Sequence, residues 1–526
     1  MQEQVEKIQQ AKKVVRKPGG ENITLKPFYS CLSVLDKKEH ILNVSSGSTL
    51  HLEEPLNFGS FKGRLTVRMG DYEGGGSVES GDFILPKSLG RIFCTSELNG
   101  LSNEVFWDCA KDFEERFSRT LGDAEQREKY IYFSRELPMQ HIDKSKQVDI
   151  DITKLRQKLE KASKSLRQDW MRNLDIDFYL RDISKYFVSS ERAKVYTNQL
   201  RWFLVFDVSA RDNKNLIVQH YGVLAGTDIS QIPNYEDIIK NGRKVTKEFG
   251  GILKAPIEKS GSYPVITSGD LTCLLVHETF MHGAEAHRMQ EDEWGDKIEF
   301  FGGKMKDKIA PDFLEVYDDP TLEEFKGIPL FGHYSFDDEA IPAQRVHLIK
   351  KGKLNDLLHS RQSAGCFKRH SNGHARSDGS KDPCPRMGSL IIQPTQEYSF
   401  KELKMGLMKA CEEQGLPYGL YLTQGMEGFV ELDDERYVAM PGQIFRIYKN
   451  GRMQRSRGIY ITGNPHETLM NITKMGNNYE VHNSRCGAES GLIEKSEVAP
   501  EALILNLGMK RLQKGEYRKA STPVLK

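Results

Sequence analysis

His277, Glu278 and His282 stand in the run LTCLLVHETFMHGAEAHRMQE, residues 271–291, at the end of an apolar segment of helical spacing. Neutral imidazole nitrogens are zinc ligands. A carboxylate beside a metal can take the proton of an activated water, so the trio holds the parts of a hydrolytic zinc site. The spacing resists a regular helix. Zinc helices of the HExxH kind carry their histidines at i and i+4, on one face. Here they are at i and i+5, and at about 100° per residue the two side chains diverge by about 140°. Both reach one ion only where the helix is locally underwound or ends. The sequence therefore predicts a distortion or a terminus between Glu278 and Gly283, which the glycine makes cheap. The competing reading is a pair of helix histidines satisfied by hydrogen bonds. Asp270, just ahead of the apolar run, is the expected N-cap.

A catalytic zinc takes three protein ligands and leaves one position open. Chemistry alone leaves the third ligand open among Cys486, His482, His287 and His374. Cys486 lies in the polar segment Asn483-Ser484-Arg485-Cys486-Gly487, where a nearby cation and a metal would both favour the thiolate. Residues 359–386 form a long irregular stretch with several histidines, cations, glycines and prolines. Stretches of that length are more often functional than structural, so a lid or substrate groove is expected, against the alternative of a solvated surface loop. Within it, Arg376 or Arg386 could stabilise an oxyanion or hold a substrate carboxylate, and His374 is a further substrate-binding candidate. Asp337-Asp338-Glu339 lacks the spacing of an oxygen-ligand loop, so it is expected to cap or orient neighbouring segments.

The 526 residues suffice for two domains with real cores. Lys and Arg number 75 against 74 Asp and Glu, which offers no global electrostatic case for nucleic acid or an anionic membrane. The polar N-terminal run MQEQVEKIQQAKKVVRK has no apolar core of a signal peptide, and no apolar run approaches membrane-spanning length. The 8 cysteines are scattered without a CxxC pair, as expected of reduced thiols in a cytoplasmic protein.

Stepwise along the chain, short β-rich runs at 23–34, 41–52 and 63–68, separated by turn signals such as Asp36-Lys37-Lys38 and Ser45-Ser46-Gly47-Ser48, predict an antiparallel meander. Gly74-Gly75-Gly76 lacks the strand-before, helix-after context of a phosphate-binding turn. Helices are expected over 102–135, with Phe106, Ala110, Phe113 and Phe117 inward, and over 152–171, with Leu155, Leu159, Ala162, Leu166 and Trp170 inward. Strands follow at 178–188, 193–208 and 215–224, then a helix at 235–249. The expected fold class is α+β. Residues 1–262 make an N-terminal domain of antiparallel sheet with helices. Residues 263–526 make a mostly β domain carrying the metal-ligand helix at its start. In that second half, strands are expected at 419–424 and 428–432, flanking a loop, and at 479–482, among others. A single helix at 401–414 interrupts them.

These segments together resemble the TldD/PmbA metallopeptidases. His277-Glu278-Thr279-Phe280-Met281-His282-Gly283-Ala284-Glu285 is similar to the family's HExxxHGxE segment, whose spacing is the one found here. Asp337 to Arg345 resembles DDEGxPxQR. Asn372-Gly373-His374-Ala375-Arg376 with Pro385-Arg386-Met387 resembles NGRxR…PRM, and Cys486-Gly487-Ala488-Glu489-Ser490-Gly491 resembles CGKxGQ. The strand around Leu65 to Tyr72 is similar to a longer-chain branch. The resemblance implies a cytoplasmic zinc-dependent peptidase acting on short or unfolded peptides, as a homodimer or paired with a metal-free paralogue. It implies one zinc per chain on His277, His282 and Cys486, with Glu278 as general base. Met281 stands where the family has glycine, the cysteine loop lacks the family's Lys and Gln, and Gly425-Met426-Glu427-Gly428 departs from a glycine-rich stretch. These departures bear on substrate preference rather than on metal binding. Two other functional classes are carried alongside: a non-catalytic peptide-binding scaffold subunit, and a maturation enzyme that processes a peptide precursor.

Overall fold

The computed structural model describes residues 1–16, 22–53, 60–72, 75–86, 91–120, 132–144, 148–213, 217–289, 305–431 and 436–512. The N-terminal half is organised by an 8-stranded sheet. Its strands run in the order Ile217–Gly226, Lys194–Arg211, Asn173–Ser189, Pro27–Ser45, Ser60–Asp71 and Gly75–Pro86, with Ser48–Glu53 and Gln140–Ile142 at the sides. Burial alternates along Asn173–Ser189, as it must where one sheet face meets a core. Helices Ile152–Leu166 and Tyr235–Lys254 cover that face. Leu155, Leu159, Ala162 and Leu166 pack with Phe178, Leu180, Leu204 and Phe206, and each fully buried Leu contributes about 1.5–3 kcal/mol.

Several sequence expectations shift here, each for a physical reason. The meander's first two runs share one strand, Pro27–Ser45, with Asp36-Lys37-Lys38 inside it, while residues 23–25 fall in strand Asn22–Leu25 and residues 48–52 in strand Ser48–Glu53. Its charges are spent across the sheet: Lys38 Nζ lies 3.3 Å from Asp182 Oδ2, and Arg181 Nε donates to Glu39 at 2.6 Å. Chain reversal comes only at Ser46 and Gly47, with φ of 51° and +88°. The helix expected over 102–135 is Arg91–Thr120, and residues 132–135 are not helical. Phe133 is instead buried between Tyr29 and the Arg361 guanidinium, which also binds the Ser134 carbonyl. Phe106 and Ala110 are buried as expected and Phe113 is partly so, whereas the Phe117 side chain lies outside the described residues. The next helix ends at Leu166, so Trp170 is not on its stripe; it stacks on Phe249 and is 44% exposed. Gly75 and Gly76 open a strand, and Gly74 lies outside the described residues.

The C-terminal half is a 12-stranded sheet spanning Gly261–Arg511 with few helices, the α+β arrangement expected. Part of this sheet closes on itself. Gly261–Thr267 pairs with Tyr418–Glu431, which pairs with Arg436–Tyr448, then Ile459–Gly463, then Gly491–Arg511, which returns to Gly261–Thr267. Helix Gly269–Thr279 leaves this circuit directly and packs on Tyr418–Glu431, Ile472–Ala488 and Gly491–Arg511. The loop expected at Gly425-Met426-Glu427 is part of the continuous strand Tyr418–Glu431, interrupted only by a bulge. The strand expected at 479–482 is the middle of Ile472–Ala488. Besides helix Phe400–Glu413, short helices form at Arg361–Cys366 and Pro465–Met470. The stretch 359–386 is not a solvated loop throughout: Ser371 to Ser377 are buried, while residues 367–370 and 380–382 are exposed. No helix among the described residues is long and apolar enough to cross a membrane.

Candidate metal centre

The ligand helix is capped at Ser268, with Gly269 and Asp270 already helical, so Asp270 is a first-turn residue rather than the N-cap. Its carboxylate accepts from the backbone of Gly425 at 3.2 Å and Leu271 at 2.8 Å. Leu271 to Thr279 are buried on every side, as in a helix sunk in a core. The α-helix stops at Thr279. Phe280 takes φ −137° and ψ −48°, and a 3₁₀ turn follows over Met281–Ala284. The break falls between Glu278 and Gly283, as the i, i+5 spacing requires. Buried Phe280 and Met281 anchor the turn in the core. The rings of His277 and His282 meet edge to face with centroids 4.8 Å apart.

Cys486 arrives from the far side of the sequence on a hairpin, Ile472–Ala488 against Gly491–Arg511, where it pairs with Ile493. Gly491 closes the hairpin at φ +93°, and a Cβ there would lie 2.2 Å from the Asp378 carboxylate. That carboxylate accepts the Leu492 amide at 2.9 Å, so glycine permits both the turn and the close approach. The hairpin sets Cys486 Sγ 3.4 Å from His277 Nε2 and 3.6 Å from His282 Nε2. Zinc bonds of about 2.0–2.1 Å to nitrogen and about 2.3 Å to sulfur at a tetrahedral angle imply an N···S edge of about 3.6 Å. Both N···S edges therefore already have the length such a site needs, and all three donor atoms lie within 4.8 Å of one another.

Each histidine presents Nε2 because its Nδ1 is engaged. His277 Nδ1 lies 2.5 Å from Glu497 Oε1, and His282 Nδ1 lies 3.3 Å from Glu285 Oε2. Carboxylates behind metal-binding imidazoles set the tautomer and raise ligand basicity. Burial would raise the Cys486 thiol, but His282, His277 and Arg386 outweigh it and hold the group well below the usual thiol range, toward thiolate. Burial would lower His282, yet Cys486 and Glu285 lift it to about 10. Glu497 is held below the usual carboxylate range: burial opposes this, and Lys495 and His277 prevail. Glu278 Oε1 lies 4.0 Å from His277 Nε2. Burial raises the Glu278 carboxyl, against the pull of His277 and His282.

The other candidates are placed elsewhere. His374 is fully buried, with Nε2 3.1 Å from Asp318 Oδ1. Arg376 is buried, donating to the Met387 carbonyl and lying over the Tyr334 ring. Arg386 is fully buried and donates from Nη2 to the Cys486 carbonyl at 2.8 Å, while its Nε lies 3.2 Å from Glu285 Oε1. His482 faces the Asp270 carbonyl at 3.5 Å, and His287 sits 3.6 Å from Glu489. The acidic cluster orients its surroundings, as expected. Asp337 accepts from the amides of Glu339, Ile341 and Ala375, Asp338 pairs with Lys185, and Glu339 accepts from the Arg361 amide.

Sequence reasoning assigned no role to Glu497, Lys495 or Gly428. A Cβ on Gly428 would fall 2.6 Å from Glu278 Oε1, so the strand backbone closes against that carboxylate. Glu497 stands among other charged and polar residues, Glu494, Lys495, Ser496 and Glu501, so nothing local singled it out.

Residues 260–511 match the PmbA/TldA metallopeptidase C-terminal domain. A metalloprotease of Methanothermobacter thermautotrophicus is 26% identical over 68% of this chain and 74% of its own length. A zinc metalloprotease TldD homolog of Saccharolobus solfataricus is 22% identical over 66% of this chain and 72% of its own. The crystal structure of TldE from Thermococcus kodakarensis superposes on 92% of this chain and 96% of its own with a TM-score of 0.61 at 13% identity, a likeness of fold. Residues 260–511 thus carry a PmbA/TldA metallopeptidase C-terminal domain, and the described chain shares its fold with TldE.

Proposed function

We propose that this chain is a zinc-dependent peptidase that hydrolyses short or unfolded peptides. One zinc is held in this centre by His277, His282 and Cys486, and Glu278 is the general base. The observation that carries the reading is the meeting of two Nε2 atoms and one Sγ at 3.4 and 3.6 Å, with their outer nitrogens already engaged by carboxylates. A bound zinc supplies Lewis acidity, which polarises the scissile carbonyl and acidifies water. The protein's own part is proton transfer: Glu278 accepts a proton from the attacking water and returns it to the leaving amine.

An extended peptide is the substrate shape that the surroundings favour. Residues 427–431 pair on one side with 436–440, and no strand pairs with their other side among the described residues. A peptide adding to that edge would be held by backbone hydrogen bonds and accepted with broad sequence tolerance. Assembly as a homodimer or with a paralogue belongs to the same reading. The intact donor set disfavours a non-catalytic scaffold role, since a metal-free subunit needs none of it. Substitution E278Q tests the reading: peptide turnover should fall by about 10²–10⁴-fold while zinc stays bound. Undiminished turnover of E278Q, or of protein stripped by a chelator, overturns it.

A further inference from the structure

Beside the proposed catalytic centre lies a second group of donors. His287, Cys384 and Glu489 each offer a ligand atom, and these atoms lie within 4.8 Å of one another. We propose that they form a second, peripheral metal site that takes a zinc-like divalent cation. It goes beyond the peptidase reading and does not need that reading to be correct.

The imidazole carries the first observation. Both ring nitrogens of His287 are shut off from solvent and, among the described residues, have no hydrogen-bond partner. Glu489 Oε2 is 3.6 Å from Nε2, beyond hydrogen-bond length. Buried imidazole nitrogens left unsatisfied cost free energy, and a coordinated cation removes that cost at one of them. Donor chemistry is the second observation. One nitrogen, one sulfur and one carboxylate oxygen suit zinc or a softer transition ion, and disfavour magnesium and calcium, which demand oxygen ligands. Three protein ligands leave a position for water. Arg288 Nη2 donates to Glu489 Oε2 at 2.7 Å and so competes for that carboxylate. Glu489 is also half exposed. Both features make this site weaker and more readily exchanged than the buried centre.

Its position gives it a role. His287 follows His282 in the next 3₁₀ turn, Ala286–Met289. Glu489 is at the tip of the hairpin that carries Cys486. Cys384 pairs across a short ladder with Arg376 and lies two residues before Arg386, which binds the Cys486 carbonyl. A cation here cross-links the three segments that build the catalytic centre and steadies the hairpin.

Zinc counting tests the proposal. Wild-type protein stripped by chelator and brought to equilibrium by dialysis against excess free Zn²⁺ should bind two equivalents. H287A and C384S should each carry one, and C486A should also keep one, in the peripheral site. Titration of the wild-type chain with Cd²⁺ gives a readout that needs no variant: ultraviolet thiolate charge-transfer absorbance should rise in two steps, one per cysteine ligand. A wild type that saturates at one metal with a single thiolate step, or H287A and C384S with wild-type stoichiometry, overturns the second site. C486A with wild-type stoichiometry would instead overturn the assignment of the catalytic centre.

Discussion

The guanidinium of Arg386 binds the carbonyl oxygen of Cys486 at 2.8 Å and, through Nε, faces Glu285 at 3.2 Å. One buried cation thus ties the hairpin bearing the thiolate to the carboxylate that orients His282. Its other nitrogen, Nη1, reaches Ser490 Oγ and the Gly491 carbonyl, both at 3.2 Å. Arg386 is a positioning residue for the centre rather than a free cation facing substrate. Replacement by Met removes one cationic partner of the fully buried Glu285, which keeps Arg288 and His282, and leaves the Cys486 carbonyl without its donor. R386M should destabilise the protein by about 1–3 kcal/mol. Urea unfolding measures the loss, and zinc affinity should fall with it.

The contact between Glu497 and His277 predicts a change in metal affinity, alongside a loss of stability because Glu497 also pairs with the buried Lys495. E497Q keeps the side-chain shape but removes the charge that faces Nδ1 of His277. Zinc should bind about 10–100-fold more weakly. Competition against a chromophoric chelator reads this directly, and an unchanged affinity would mean that His277 is oriented by something else.

Gly428 predicts a catalytic effect separable from metal binding. The added methyl of G428A would press on the Glu278 carboxylate, which a Cβ would approach to 2.6 Å. A displacement on the order of 1 Å at a catalytic group costs about 10²-fold in rate. Turnover should drop by that order in kcat while zinc content stays at the wild-type level.

Glu258 predicts how stability depends on pH. It accepts from Arg446 Nε at 2.7 Å, Tyr418 Oη at 2.9 Å and the Lys259 amide at 3.0 Å. Burial raises its carboxyl, but Arg446, the Lys259 amide and Tyr418 outweigh burial and hold it below the usual range. The folded state therefore binds that proton less readily than the unfolded chain. The resulting stability is present above the ordinary carboxylate value and is lost as pH falls through the folded one. Urea midpoints taken from neutral pH down to about pH 3 should decline less steeply in E258Q than in wild type. Parallel declines would remove Glu258 from the account.

Local structure was legible where one segment sets its own terms. The i, i+5 spacing of His277 and His282 demanded a break in the helix, and the break is there because no regular α-helix turns both rings toward one point. Leu155, Leu159, Ala162 and Leu166 announced a buried stripe by their period alone. Asp36-Lys37-Lys38 misled, because a charged triplet reads as a turn unless strands on either side supply countercharges.

The sequence by itself therefore supplied two imidazoles, a carboxylate beside them and the need for a distorted helix. These follow from residue chemistry and helical period. Residue chemistry left the third donor open, and the resemblance alone pointed to Cys486; the tertiary structure shows how so distant a residue meets the two histidines. Cys486 is 209 residues from His277, and only the pairing of Ile472–Ala488 with Gly491–Arg511 brings its sulfur between the two imidazoles. It also decided what Arg386 does. A guanidinium serves an incoming substrate or a buried carboxylate equally well, and the choice rests on whether packing leaves it facing solvent or closes it against Glu285 and the Cys486 hairpin.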